Sequence, residues 1–355
     1  MEFGIQLATS AHHWKVVKKA EEMGFTHAWF YDTGLLNADV FVAMAAAAMH
    51  TSKIKLCTGV LIPSNRIAPV AASALASLNA LAPGRIQCGV STGFTARRTL
   101  GLPAITMKRM EEYIRVVRAL LNKETTDWSE EGGTHKIRFL NPELNLINLD
   151  DAIKFHLSAF GPKGRALTAK LGFGWVIGTS KPQAATFAMN AMRKSWTEVG
   201  RDTKDLYATT FGAGCVLAEG EAADSKRAIA QAGPGATIIF HDMVEHETLG
   251  SLGIPAPPQF QSQYDAYREI YNKYEPADAK YLMNHRGHLM FVKPEEEKLV
   301  TAELLKAVTL TGTAPEIIEN VRAIKAAGYS QFGINLRNGH EMSMLDDWAK
   351  IVEKV

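Results

Sequence analysis

The chain has 355 residues, 46% of them hydrophobic and 21% charged, the composition of an ordinary globular protein. Its 39 basic and 37 acidic residues leave a formal net charge of +2, and no long basic run or aromatic-laced basic stripe exists, which argues against a nucleic-acid binder. No run approaches the ~18 apolar residues of a membrane span. The N-terminus, MEFGIQLATSAHHW, lacks the basic start and apolar stretch of a secretory signal.

The predicted elements alternate from the start. FGIQLA (3–8) reads as a buried strand and residues 13–23 as an amphipathic helix, with Trp14, Val17 and Ala20 on one face. HAWFY (27–31) is a strand, 39–50 a helix, 54–60 a strand, 69–81 a helix and 85–90 a strand. Further strands are expected at 152–160, 174–178, 207–218 and 331–336, and further helices at 106–121, 162–171, 182–199, 221–231 and 343–355. Early strands recur every 25 to 30 residues, the length of a strand–helix unit. Such units build a parallel sheet covered by helices. Eight of them predict an α/β fold, a single (β/α)8 TIM-type barrel spanning 1–355. An open doubly wound sheet is the alternative, weakened because no G-x-G-x-x-G follows the first strand.

A second pattern supports repeated helix-to-strand returns. A helix end, a glycine, an aromatic residue and a strand recur in AEEMGFTHAWFY (20–31), TAKLGFGWVIG (168–178) and IKAAGYSQFGINL (324–336). Glycine there takes the left-handed cap conformation, and the next residue packs back on the last turn. Two stretches break the rhythm. Residues 123–150 are polar and suggest an extended insertion with a short hairpin. Residues 232–300, with a helix expected at 262–274, suggest a lid over the active face.

In a (β/α)8 barrel, chemistry sits at the strand C-termini. The tips here are Gln6 to Thr9, Tyr31 to Thr33, Gly59-Val60, GVSTGFTARRTLG (89–101), SAFGPKGR (158–165) and IGTS (177–180). They are rich in glycine and hydroxyls and poor in paired carboxylates. That suits a site cradling a ligand with backbone N–H groups, not a metal or hydrolytic centre. Gly59 either admits a flat ligand to the backbone or marks a barrel-corner bulge. The helix start after FGPKG, with Lys163 and Arg165, either holds a phosphate or is an ordinary turn with two solvated cations. His241, His246, His285 and His288 lack convincing zinc spacing and read as surface or lid histidines, one of which could reach substrate as a proton donor. No metal is expected. GPGAT (233–237) lacks the lysine of a P-loop, and no G-x-S-x-G elbow occurs. Asp150-Asp151 precedes a strand and reads as a turn. Cys57, Cys88 and Cys215 form no C-x-x-C pair and read as small buried hydrophobes of a cytoplasmic protein.

Residues 58–102, TGVLIPSNRIAPVAASALASLNALAPGRIQCGVSTGFTARRTLGL, resemble the core of the bacterial luciferase-like monooxygenase superfamily. The resemblance continues patchwise through MKRMEEYIRVVRALL (107–121), SAFGPKGRALTAKLGFGWVIG (158–178) and residues 311–336. It implies a (β/α)8 barrel binding reduced flavin or a deazaflavin at the strand C-termini, with a non-prolyl cis peptide at Gly59–Val60 behind the ring. It further implies that Gln6, Thr92, Gly93, Phe94 and Arg97 line the cofactor. Ala159, Phe160, Gly161, Pro162, Lys163, Gly178 and Thr179 would contact its phosphate or ribityl chain. Tyr31, Asp32 and His288 are the expected catalytic or substrate contacts.

The sequence departs from some deazaflavin enzymes of the family. YDTGLLNADV lacks their histidine and tryptophan, and Phe94 stands where some have an acidic residue. These departures favour a two-component monooxygenase using reduced FMN (FMNH2) and O2 on a small organic substrate, with a separate flavin reductase as partner. The alternatives are a deazaflavin-dependent hydride-transfer enzyme, since Gly-Val at this strand also resembles methanopterin reductases, and a non-catalytic flavin-binding barrel. A flavin-free aldolase or hydrolase lacks a lysine, triad or metal set at the tips. The family resemblance implies a homodimer.

Overall fold

The structure, a computed structural model, describes residues 1–249 and 258–355. The strands are β1 (Glu2–Leu7), β2 (His27–Phe30), β3 (Lys55–Leu61), β4 (Ile86–Val90), β5 (Thr126–Glu130), β6 (Gly133–Ile137), β7 (Lys154–Ser158), β8 (Gly174–Gly178), β9 (Ala208–Gly212), β10 (Val216–Leu217), β11 (Gly312–Thr313) and β12 (Gln331–Asn335). The helices are α1 (Trp14–Glu22), α2 (Val40–His50), α3 (Ala68–Leu81), α4 (Phe94–Arg98), α5 (Met107–Leu121), α6 (Pro162–Leu171) and α7 (Pro182–Glu198). They continue as α8 (Lys226–Leu249), α9 (Gln261–Asn272), α10 (Tyr281–His285), α11 (Ala302–Val308), α12 (Ala314–Ala326) and α13 (Glu341–Val352). Among the described residues no helix is long and apolar enough to cross a membrane.

Eight parallel strands close into a barrel in the order β1-β12-β9-β8-β7-β4-β3-β2. All eight expected strands are present. Burial drives the closure. Small residues let helices lie close on the strands, as where α3 presents Ala68, Ala71, Ala72, Leu75 and Leu78 to the main core. The helix returns form as expected. At the end of α1, Phe25 N–H donates to Ala20 O at 3.0 Å and Gly24 N–H to Glu21 O at 3.0 Å, with Gly24 at φ 86° and Phe25 buried. Gly172 and Gly328 repeat the positive φ, at 65° and 105°. The expected hairpin is β5–β6, paired antiparallel.

Two expectations are corrected. The stretch 207–218 is not one strand: β9 stops at Gly212, and β10 pairs outside the barrel with β11. Leu310 backbone lies 2.7 Å from where a Gly214 side chain would begin, and this crossing chain diverts the strand. The helix expected at 221–231 starts at Lys226 and runs on through Pro234. Its apolar face joins α9 and α11 in a second core that includes Phe240, Tyr264, Tyr267 and Leu304. Part of the expected lid, 250–257, lies outside the described residues.

The N-terminal end of the barrel is sealed by a directional hydrogen-bond chain. His156 Nε2 lies 2.7 Å from Gln87 Oε1, and Gln87 Nε2 lies 3.4 Å from His27 Nε2. His27 Nδ1 lies 2.8 Å from Thr26 Oγ1, which donates to Phe3 O at 2.9 Å. The chain requires a proton on Nε2 in His156, and in His27 a proton on Nδ1 with Nε2 bare to accept from Gln87. Burial agrees: it pushes both histidines down to about 3, helped at His27 by Lys55 and at His156 by His27 itself.

Candidate active site

The third strand ends in an irregularity at the barrel mouth. Its register against β4 shifts between Thr58 and Leu61, and the Gly59–Val60 peptide is cis, as the resemblance implied. Both glycines here are sterically required. A side chain on Gly59 would begin 2.8 Å from Trp29 Cβ, and one on Gly89 would begin 2.5 Å from Thr58 O. The loop that follows is held from β2. Asp32 accepts from Ile62 N–H at 3.0 Å and from Arg66 Nη1 at 2.9 Å, while Arg66 Nη2 also donates to Asp39. Asp39 in turn caps α2 by accepting from Phe41 N–H at 2.8 Å. Both oxygens of buried Asp32 are thus engaged in positioning the third loop, a role different from the expected substrate contact.

A polar chain crosses the mouth. Gln6 Nε2 donates to Gly59 O at 3.1 Å. Asn335 Nδ2 donates to Gln6 Oε1 and lies 3.4 Å from the Tyr31 hydroxyl. Burial raises the Tyr31 phenol above its ordinary value, so it is un-ionised at neutral pH. Against it lies Arg337, wholly buried two residues beyond β12. Neither Asn335 nor Arg337 was singled out from sequence. The signal was available: both stand at the C-terminal tip of the eighth strand.

The other expected cofactor residues divide. Gly93 (φ 82°) opens α4, and an added side chain there would meet Ile62 at 2.5 Å. Phe94 lies beside Thr92 and Gly93 and stacks beneath the Arg98 guanidinium, 5.6 Å from its ring centroid. Arg97 turns away into its own loop, donating from Nε to Pro103 O. On the β7 side, Ala159 is buried and its carbonyl accepts from Trp175 Nε1 at 2.8 Å, while the Phe160 ring is 57% exposed. Gly161 and Gly178 have nothing within 4 Å of an added side chain, and Pro162 and Lys163 begin α6 in the open. Thr179 is held by its carbonyl, which accepts from Thr210 Oγ1 at 3.1 Å. Open space over a helix start carrying Lys163 fits a phosphate-bearing cofactor.

His246 is exposed, as expected, but His241 and His285 are buried and His288 is partly so. His241 Nε2 lies 2.7 Å from Glu296 Oε1, Lys293 Nζ 2.8 Å from the same oxygen, and His285 Nε2 2.6 Å from Glu245 Oε1. Burial lowers His241 despite Glu296, and Glu296 stays below its ordinary value because His241 and Lys293 outweigh its own burial. His288 is the member nearest the mouth. Its Nε2 lies 3.3 Å from Thr95 Oγ1, and burial, then His285 and His241, holds it well below the usual imidazole range. Among the described residues no cluster suits a metal ion. A cavity of about 900 Å³ does exist, but at the N-terminal face around His27, Gln87 and His156. That face serves stability in this architecture.

The structure is thus a closed parallel barrel whose mouth carries open glycine tips and an exposed helix start bearing Lys163. The chain belongs to the luciferase-like monooxygenase family, whose model matches residues 5–331, and it is an oxidoreductase. It is 24% identical over 341 residues to the 5,10-methylenetetrahydromethanopterin reductase of Archaeoglobus fulgidus, covering 93% of this chain and 92% of that one. It is 31% identical over 146 residues to the F420-dependent glucose-6-phosphate dehydrogenase of Beutenbergia cavernae, covering 39% of this chain and 41% of that one. Its fold matches the coenzyme F420 dependent tetrahydromethanopterin reductase of Methanopyrus kandleri with a TM-score of 0.70 at 18% identity, over 98% of this chain and 97% of that one.

Proposed function

We propose that the protein is a deazaflavin (F420-type) dependent oxidoreductase that transfers a hydride to or from a small organic substrate. The observation that carries this reading is the near-full-length sequence likeness to a methylenetetrahydromethanopterin reductase, joined by the F420-dependent dehydrogenase likeness. It reverses the preference for FMN drawn from Phe94 and the β2 tip. Those two departures alter side chains at two loops, whereas the likeness runs through the whole barrel.

The coenzyme, when bound, supplies the hydride donor or acceptor. Gly59–Val60 and Gln6 would back its ring, Thr92 to Phe94 would flank it, and Gly161 to Lys163 with Gly178 and Thr179 would take its phosphate. Gln6, fixed by Gly59 and Asn335, holds the chain of amides rigid. Tyr31, kept protonated by the burial of its phenol, would donate to a substrate oxygen or nitrogen. The insertion would act as a lid from the α4 side, a reading supported by the 3.3 Å approach of His288 Nε2 to Thr95 Oγ1.

The test is a calorimetric titration of the purified protein with F420, FMN and, anaerobically, FMNH2. F420 is expected to bind at least about tenfold more tightly than either flavin form. Selective FMNH2 binding, with substrate-dependent oxygen uptake, would restore the monooxygenase reading and its separate reductase. Binding of none would leave a barrel without either cofactor.

A further inference from the structure

Arg337 is a buried cation at the mouth to which none of the proposed coenzyme contacts assigns a task. It is 0% exposed, and none of Nε, Nη1 and Nη2 has a hydrogen-bond partner of ordinary geometry. The Tyr31 hydroxyl lies against it, but a phenol is no counter-ion. Among the described residues no carboxylate pairs with it, and 250–257 contains no acidic residue. An arginine cannot shed its proton to escape burial. An unpaired buried charge is costly, so such a group is kept where an anion arrives to pair with it.

The surroundings are shaped for the guanidinium. Gly235, inside α8, stands where an added side chain would begin 2.9 Å from Arg337 Nη2 and 2.6 Å from Ala213 Cβ. The GPG run, which is no P-loop, thus lets a helix pass closely over the cation. His288 is close enough to feel the Arg337 charge, and its Nδ1 is also buried and without a partner. Two independent unpartnered donors or acceptors, from β12 and from the insertion, therefore border one region of the mouth. Planar guanidinium matches a carboxylate or phosphate edge through two parallel hydrogen bonds.

We propose that Arg337, with Tyr31 and His288 beside it, forms an anion-binding subsite, and that the substrate presents a carboxylate or phosphate there. Assigning the anion to substrate rests on the oxidoreductase reading above. It also rests on topology. Between β12 and β7 stand β9 and β8, so Arg337 lies across the barrel from the α6 start where the coenzyme phosphate is expected. One subsite holds the coenzyme's anion and the other the substrate's.

The experiment uses the full-length protein, sodium phosphate and sodium acetate as probes, and sodium chloride at matched ionic strength as control. Binding is read by calorimetry and by the shift in Tm, with and without saturating F420. Phosphate or acetate is expected to bind the wild type and raise its Tm, and to keep doing so when F420 is saturating. Arg337→Met is expected to weaken that binding at least about tenfold, while being no less stable than wild type without anion. Arg337→Lys, which keeps the charge but loses the fork, is expected to bind at least about threefold more weakly; it decides the matter if the methionine variant fails to fold. Unchanged anion affinity in either folded variant overturns the subsite. Loss of the anion effect on adding F420 overturns its assignment to substrate. If F420 does not bind but the Arg337-dependent anion effect persists, the coenzyme reading fails and the subsite stands.

Discussion

Lowering the pH from 7 to 5 is expected to remove about 4 kcal/mol of folding stability through His27 and His156 alone. Both are buried, and both are pushed from 6.5 to about 3 in the folded chain. The sign follows from which state takes the proton. Below 6.5 the unfolded chain protonates these imidazoles and the folded barrel does not, so stability falls as pH falls, by about 1.4 kcal/mol per pH unit for each histidine. The decline starts near 6.5 and continues toward 3. Ordinary carboxylates titrate near 4, below the interval from pH 7 to 5. The geometry gives the same answer without titration. A second proton on His156 or His27 has no acceptor in a chain whose every member is already donating once. Urea unfolding at pH 7 and pH 5 measures the effect, and the double variant His27→Gln/His156→Gln should lose about 4 kcal/mol less than wild type between the two values. Equal wild-type stability at the two pH values would sink the account.

Replacing Asp32 by alanine should cost about 3 kcal/mol at pH 7. The substitution strands Ile62 N–H and removes the buried partner of Arg66. Because Ile62 follows directly on the Gly59–Leu61 irregularity, coenzyme affinity should fall along with stability. Asp32→Asn keeps an acceptor for the amide and should lose about half as much. Urea unfolding reads the first effect and calorimetric titration with F420 the second. A loss below about 1 kcal/mol for Asp32→Ala would mean that the loop is held by other contacts.

Much of the architecture was readable because it is local. Strand and helix periods, the glycine–aromatic returns at Gly24, Gly172 and Gly328, and the polar hairpin all depend on residues adjacent in sequence. What was misread depends on distant partners. Pro234 and its flanking glycines suggest a break, yet α8 continues because Gly235 packs on Ala213 and Gly233 on Val292. His285 and His241 look like surface groups until Glu245 and Glu296 are brought against them from elsewhere in the chain. Asp32 looks like a mouth carboxylate, and only the return of Ile62 and Arg66 beside it gives it another task. Arg337 was missed because nothing in its own neighbourhood of sequence shows that it lacks a counter-charge.

The division between the two ends of the barrel has a practical consequence for any assay. The floor carries two imidazoles that resist protonation, while the polar chain at the mouth consists of amides and a phenol that keep one state across the same range. Turnover lost in mild acid would therefore report fewer folded molecules rather than slower chemistry in each one. Normalising rate to the folded fraction would separate the two.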